Sequence, residues 1–227
     1  MPVLPAGPNV LNAAFQITVA DLAQLPPDSL AEVAFAGRSN AGKSSAINAI
    51  TNQKRLAFVS KTPGRTQHLN FFRAGPGRYL VDLPGYGYAK TPMVEQKRWQ
   101  ALVGSYLAGR PQLAGLVLIM DIRHPFTELD LMLLDWFQAS GKPVHILLSK
   151  ADKLSRSQSL PVLRAAQATL AERGYSGSVQ LFSSPKHMGL DEAEAVIRNW
   201  LQMPPAKGGA KAKKCPTQGE KVGHQVP

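Results

Sequence analysis

The stretch Gly37-Arg38-Ser39-Asn40-Ala41-Gly42-Lys43-Ser44 constrains this chain more than any other. It fits G-x-x-x-x-G-K-[ST], follows the apolar run at residues 32–36 and opens a stretch of helical pattern, the context a phosphate-binding loop requires. The physics is anion capture. Glycines let the backbone curl so that successive N–H groups point inward, and the dipole of the following helix adds partial positive charge. Lys43 is placed to reach the outer phosphates of a nucleotide, and the Ser44 hydroxyl to ligate Mg²⁺. Ser45 continues the first helical turn beside the bound group, with no catalytic role expected of it.

Around this loop, apolar runs alternate with amphipathic stretches, which predicts an α/β fold: a mostly parallel six-stranded sheet with helices on both faces. Strands are expected near residues 32–36, 69–73, 78–82, 115–121, 143–149 and 179–183. After Thr127, the residues Leu129, Met132, Leu133, Trp136 and Phe137 recur at helical spacing, and Thr127 with Asp130 resembles a capping box. Trp136 and Trp200 are therefore expected in the core. A 227-residue chain with 44% hydrophobic content suits one main domain. Residues 1–27 read as an extension packing on that domain, 28–203 as the domain, and 204–227 as a disordered lysine-rich tail with too little apolar surface to offset ordering entropy. The single cysteine, Cys215, allows no intrachain disulfide, and the apolar runs are strand-sized, so a cytoplasmic protein with no membrane span is expected.

A phosphate loop does not choose a base. Ser149-Lys150-Ala151-Asp152, directly after the apolar run at residues 144–148, is similar to the N-K-x-D guanine motif. A carboxylate at Asp152 can accept from both N1–H and the 2-amino group of guanine, whereas adenine offers no such donor pair. Asp82-Leu83-Pro84-Gly85 ends another strand, 38 residues past Ser44. Asp82 suits the aspartate that holds Mg²⁺ through water, and Gly85 the contact with the terminal phosphate. Between them, Lys61-Thr62-Pro63-Gly64-Arg65-Thr66-Gln67 precedes His68 as a polar loop, with Thr66 chosen over Thr62 to close on the metal. Phe182, Ser183 and Ser184 follow the last strand, where small residues and backbone amides can back the base.

Taken together, G-R-S-N-A-G-K-S-S, K-T-P-G-R-T-Q, D-L-P-G-Y-G-Y-A, the D-I-R-H-P stretch at 121–125 and S-K-A-D resemble the EngB family, in the TrmE-Era-EngA-EngB-septin-like class of P-loop GTPases, over residues 12–203. The resemblance implies GTP binding by residues 37–44, 64–68, 82–85, 149–152 and 182–184, and Mg²⁺ held by Ser44 and Thr66. It further implies a role in large ribosomal subunit assembly, linked to cell division and septation. Ser149 departs from the usual asparagine, though a hydroxyl there is similar to the family's pattern. Asn40 occupies the position where related GTPases bind K⁺ beside the phosphates, so Lys43, Thr66 and Asn40 form the expected catalytic set, with K⁺ as a second cation.

After Gly85 stands Tyr86, not the water-orienting glutamine of many signalling GTPases, so slow intrinsic turnover is expected, on the order of 10⁻⁴ s⁻¹ as for unassisted Ras. The formal charge of +11 is concentrated: residues 54–110 carry ten Lys/Arg against two acids, while 127–200 balance eight against eight. Such charge permits nucleic acid, anionic lipid or acidic protein as partner, and the resemblance implies that the partner is the large ribosomal subunit or its precursor, met through ribosomal RNA by a monomer that binds GTP or GDP. Two other readings fit parts of the sequence: an ATP-dependent P-loop phosphotransferase, and a nucleotide-gated RNA-binding scaffold with negligible hydrolysis.

Overall fold

The computed structural model describes residues 11–58, 68–87 and 93–205, over 93–99 as backbone alone. The first ten residues, the loop carrying Gly64, Arg65, Thr66 and Gln67, and the tail with Cys215 lie outside the described residues. Among the described residues, seven strands form one sheet: β1 (Ala14–Val19), β2 (Ala31–Gly37), β3 (Leu69–Gly75), β4 (Arg78–Asp82), β5 (Leu113–Asp121), β6 (Val144–Ser149) and β7 (Gly177–Leu181). Their spatial order is β1-β3-β4-β2-β5-β6-β7. The block from β4 to β7 is parallel, and β3 runs antiparallel to both β4 and β1.

All six expected strands are present, and the seventh corrects the count. β1 falls in the segment read as an N-terminal extension. It pairs with β3 from Ala14↔Arg73 to Val19↔Leu69, broken by an irregularity between Phe15 and Ile17. At the sheet edge only Val19 of this strand is fully buried, so it carries little of the apolar run by which the inner strands are recognised.

Among the described residues, five α-helices complete the layers: α1 (Lys43–Ile50), α2 (Met93–Gly109), α3 (Glu128–Gln138), α4 (Arg156–Glu172) and α5 (Leu190–Trp200). The pleat of β2 shows how the layers are fed, because alternate side chains point to opposite faces. Val33 and Phe35 pack with Ile47 and Ile50 of α1 and Ile197 of α5. Ala34 and Ala36 face the other layer, where Val103 and Leu107 of α2, Leu133 and Phe137 of α3 and Leu170 of α4 gather. Each large side chain so buried contributes roughly 1.5–3 kcal/mol. The exception in β2 is Glu32, fully buried, which accepts from the Tyr106 hydroxyl at 2.8 Å and from Arg110 Nε and Nη2 at 2.9 and 2.6 Å. Three donors on one carboxylate are what make a buried charge tolerable there.

The capping box at α3 forms as expected, with Thr127 as N-cap and Asp130 at the third position. The buried stripe, however, runs through Asp130, Leu133, Leu134 and Phe137. Trp136 is 37% exposed, which corrects its assignment to the core, while Trp200 packs partly buried against the α1/α5 layer. No helix among the described residues is long and apolar enough to cross a membrane.

Candidate functional site

The expected site residues that lie within the described segments converge at the carboxyl ends of β2, β4, β6 and β7, the edge where open α/β sheets bind ligands. The loop at residues 37–42 leaves β2 and enters α1. Its first glycine is obligatory for space, since a Cβ on Gly37 would stand 2.8 Å from the Ile119 carbonyl oxygen of β5. Gly42 adopts φ 100°, a left-handed conformation that side chains resist. Asn40 also has positive φ, at 65°, which asparagine tolerates better than most residues. Ala41 is buried, Ser39 and Asn40 are exposed, and Ser44 is half-buried in the first turn of α1, with Ser45 exposed beside it.

Lys43 and Asp82 meet directly, Nζ to Oδ1, and Asp82 is only 5% exposed at the end of β4. The chain after Asp82 stays pinned to β2: Leu83 N–H donates to the Phe35 carbonyl at 3.0 Å, and Leu83 and Pro84 are buried. Gly85 then rests on the loop, where a Cβ would lie 3.5 Å from Gly37 O and 3.6 Å from Ser39 N. Ser39 N–H donates to the Tyr86 carbonyl at 2.9 Å.

The second half of the site is built by β6 and β7. Ser149 is buried, and its hydroxyl lies 2.5 Å from the Ala41 carbonyl and 3.1 Å from that of Met120. Lys150, held at φ 58°, donates from Nζ to the Asn40 carbonyl at 2.7 Å and pairs with Asp121 Oδ2 at 2.9 Å. The Arg123 guanidinium, with Lys150 adding to it, holds the Asp121 carboxyl far below its ordinary range. Two residues of S-K-A-D thus bond carbonyl oxygens of the phosphate loop, fixing one loop against the other. The sequence marks Ser149 as a member of the guanine motif and as a departure from its usual asparagine; the small hydroxyl at that position is the available signal for this brace.

Ala151 and Asp152 lie in a short 3-10 turn, residues 151–153. Ala151 N–H donates to the Phe182 carbonyl, and Phe182 N–H to Leu148, so the turn is stitched to the end of β7. Ser183 Oγ–H donates to Asp152 Oδ1 at 2.6 Å. That bond lowers the carboxyl's pKa further below its ordinary value and leaves an ionised, oriented acceptor, with Lys153 Nζ 3.6 Å from the other oxygen. Ser183 is itself fixed by paired backbone bonds with Met188 at 3.1 Å, and Ser184 is half-buried beyond it. His68 is exposed at the start of β3. Chemically, the arrangement can present curled backbone amides and a lysine to phosphate at one end, and a fixed carboxylate to paired N–H donors at the other.

Comparison with known proteins shows the family to which the fold belongs. Residues 32–150 match the family described as "50S ribosome-binding GTPase". The probable GTP-binding protein EngB of Dechloromonas aromatica is 57% identical over 217 residues, covering 91% of this chain and 99% of that protein. The EngB relative from Azoarcus sp. is 55% identical over 206 residues, covering 90% and 99%. Among solved structures, a probable GTP-binding protein EngB superposes with a TM-score of 0.60 at 18% identity, covering 76% of this chain and 99% of that one. Era in complex with MgGDPNP and a fragment of 16S ribosomal RNA gives 0.60 at 19% identity, covering 83% and 60%. At those identities the structures attest the fold, and the sequence relatives attest the family. The chain belongs to the EngB family of GTP-binding proteins and is a P-loop GTPase.

Proposed function

We propose that this protein is a slow GTPase acting as a nucleotide-gated switch in assembly of the large ribosomal subunit, with linked effects on cell division and septation. What supports the GTP site most is the coupling of its two loops. Ser149 Oγ and Lys150 Nζ both bond carbonyls of the phosphate loop, while Ser183 orients Asp152. Phosphate-reading amides and the base-reading carboxylate are therefore held at one spacing. GTP would contact residues 37–45, 64–68, 82–85, 149–152 and 182–184. In hydrolysis a water oxygen bonds the γ-phosphorus as the bridging oxygen leaves on GDP, and Lys43 stabilises the charge that develops on the phosphates.

Magnesium fits the donors present: the Ser44 hydroxyl in the first turn of α1 and the buried Asp82 carboxylate beside Lys43 are hard oxygen ligands. Ser44 and Thr66 would hold the ion directly and Asp82 through water. When bound, the ion would supply positive charge that offsets the charge developing on the phosphates.

Asn40 would hold K⁺ next to the same phosphates. Its backbone carbonyl is already taken by Lys150, which leaves the side-chain oxygen for the ion. Turnover should be roughly tenfold faster in K⁺ than in Na⁺, since one added cation at the transition state is worth about 1.4 kcal/mol or more. Equal rates in the two salts would exclude this role.

The partner reading rests on the description of the matching family and on charge. The net +8 across residues 54–110 includes the segments of Thr66 and Asp82, the two that in this reading would respond to the γ-phosphate. A nucleotide that orders those segments would order the basic surface. Sedimentation with purified large subunits is expected to show roughly tenfold tighter binding with a GTP analogue than with GDP. Affinity should also fall with KCl by about one log–log unit per phosphate contact. Equal binding in both nucleotide states, or no salt dependence, would refute the partner reading.

A further inference from the structure

Tyr86 stands between two exposed glycines, Gly85 and Gly87, yet is itself only 7% exposed. Its backbone belongs to the phosphate loop: the carbonyl accepts from Ser39 N–H at 2.9 Å, and Arg38 and Tyr86 form a parallel bridge. Its side chain belongs to α3. The phenol donates to Asp130 Oδ1 at 2.7 Å, while Asp130 Oδ2 accepts from Thr127 N–H at 2.9 Å and Thr127 Oγ1–H at 2.7 Å. Asp130 is 1% exposed, so all three donors are needed to keep its charge tolerable. Burial, with the Asp130 charge adding to it, holds the phenol well above its ordinary pKa and keeps it a donor.

An ordinary core hydrogen bond joins two elements that are already rigid. This one ends on a segment whose flanking residues offer no side chains: Gly87 sits at φ 77° and Gly85 has only backbone to present. The Tyr86 phenol therefore adds a side-chain tie to the backbone contacts with Arg38 and Ser39 that hold the chain directly after Gly85. The same Asp130 that takes part in the capping box of α3 thus helps to set where that segment lies against Gly37 and Ser39.

We propose that Asp130 is a positioning residue for GTP hydrolysis, acting through the Tyr86 hydroxyl to hold the backbone of residues 82–86 at the terminal phosphate. This rests on residues 82–85 facing the γ-phosphate. Tyr86 occupies the place of a water-orienting side chain but turns its polar end away, so its contribution is to fix the loop, not to touch the water.

The test compares Tyr86→Phe and Asp130→Ala with Tyr106→Phe, which removes a chemically similar buried phenol–carboxylate bond to Glu32 at the far end of β2. Single-turnover hydrolysis, GDP affinity and melting temperature are measured on the full chain. Tyr86→Phe is expected to slow hydrolysis roughly tenfold, with KM and GDP affinity within about twofold of wild type. Tyr106→Phe should lower the melting temperature and leave the rate alone. The double variant Tyr86→Phe/Asp130→Ala should be no slower than the slower single variant. If Asp130→Ala does not fold, Tyr86→Phe against Tyr106→Phe decides alone. Hydrolysis in Tyr86→Phe within twofold of wild type, or faster, overturns the proposal. A wild-type chain that fails to bind GTP would overturn the nucleotide-site reading, and this proposal with it.

Discussion

Replacing Lys43 by alanine is expected to lower affinity for GTP and GDP by roughly 10²–10⁴-fold, the loss of two hydrogen bonds to charged oxygens at about 1.5–3 kcal/mol each. The structure adds a second consequence. Lys43 is the direct partner of Asp82, whose side chain is only 6% exposed, so the variant strands a buried carboxylate. Breaking such a pair costs about 3–5 kcal/mol, which for a domain of this size corresponds to a fall in melting temperature of roughly 6–20 °C. Binding must therefore be measured well below that transition, by titration with a fluorescent GDP analogue near 10 °C. Affinity within tenfold of wild type, in a protein shown to be folded, would rule out Lys43 as a phosphate ligand.

The second large effect concerns the base. With Asp152 ionised and Ser183 Oγ–H donating to Oδ1, the carboxylate can take N1–H and the 2-amino group of guanine together. In Asp152→Asn the amide oxygen can keep the Ser183 bond while the –NH₂ turns toward the base. Its hydrogens then meet the guanine donors and instead suit the 2-oxo group of xanthine. GTP affinity should drop by roughly 10²–10⁴-fold while xanthosine triphosphate gains, because a site built for one donor pattern rejects the complementary pattern strongly. Unchanged GTP affinity in this variant would remove Asp152 from the base site.

The degree to which these roles could be read from sequence follows from how local they are. The phosphate loop, Asp82 to Gly85 and S-K-A-D are contiguous patterns at strand ends, and the structure places each at the expected edge of the sheet. The capping box at Thr127 and Asp130 was legible for the same reason, a spacing of three residues. What sequence could not show is contact across distance. Ser149 lies 108 residues from Ala41, and Tyr86 lies 44 residues from Asp130. Nothing in the local pattern of either member announces its partner. Trp136 failed for a different reason. Helical spacing defines an apolar stripe wider than the buried one, and a side chain at its margin can turn outward. β1 was missed because an edge strand with one buried residue lacks the continuous apolar run that marks its inner neighbours.

The fixed spacing of Asp152 from the phosphate loop makes a definite claim: this site selects guanine. Calorimetric titration of the wild-type chain with GTP, GDP and ATP in Mg²⁺ buffer tests it directly. The account predicts GTP and GDP affinities at least about 10³-fold above that for ATP, since adenine offers the Asp152 carboxylate no N–H pair to replace the water it would lose. Affinities for ATP and GTP within tenfold of each other would contradict it.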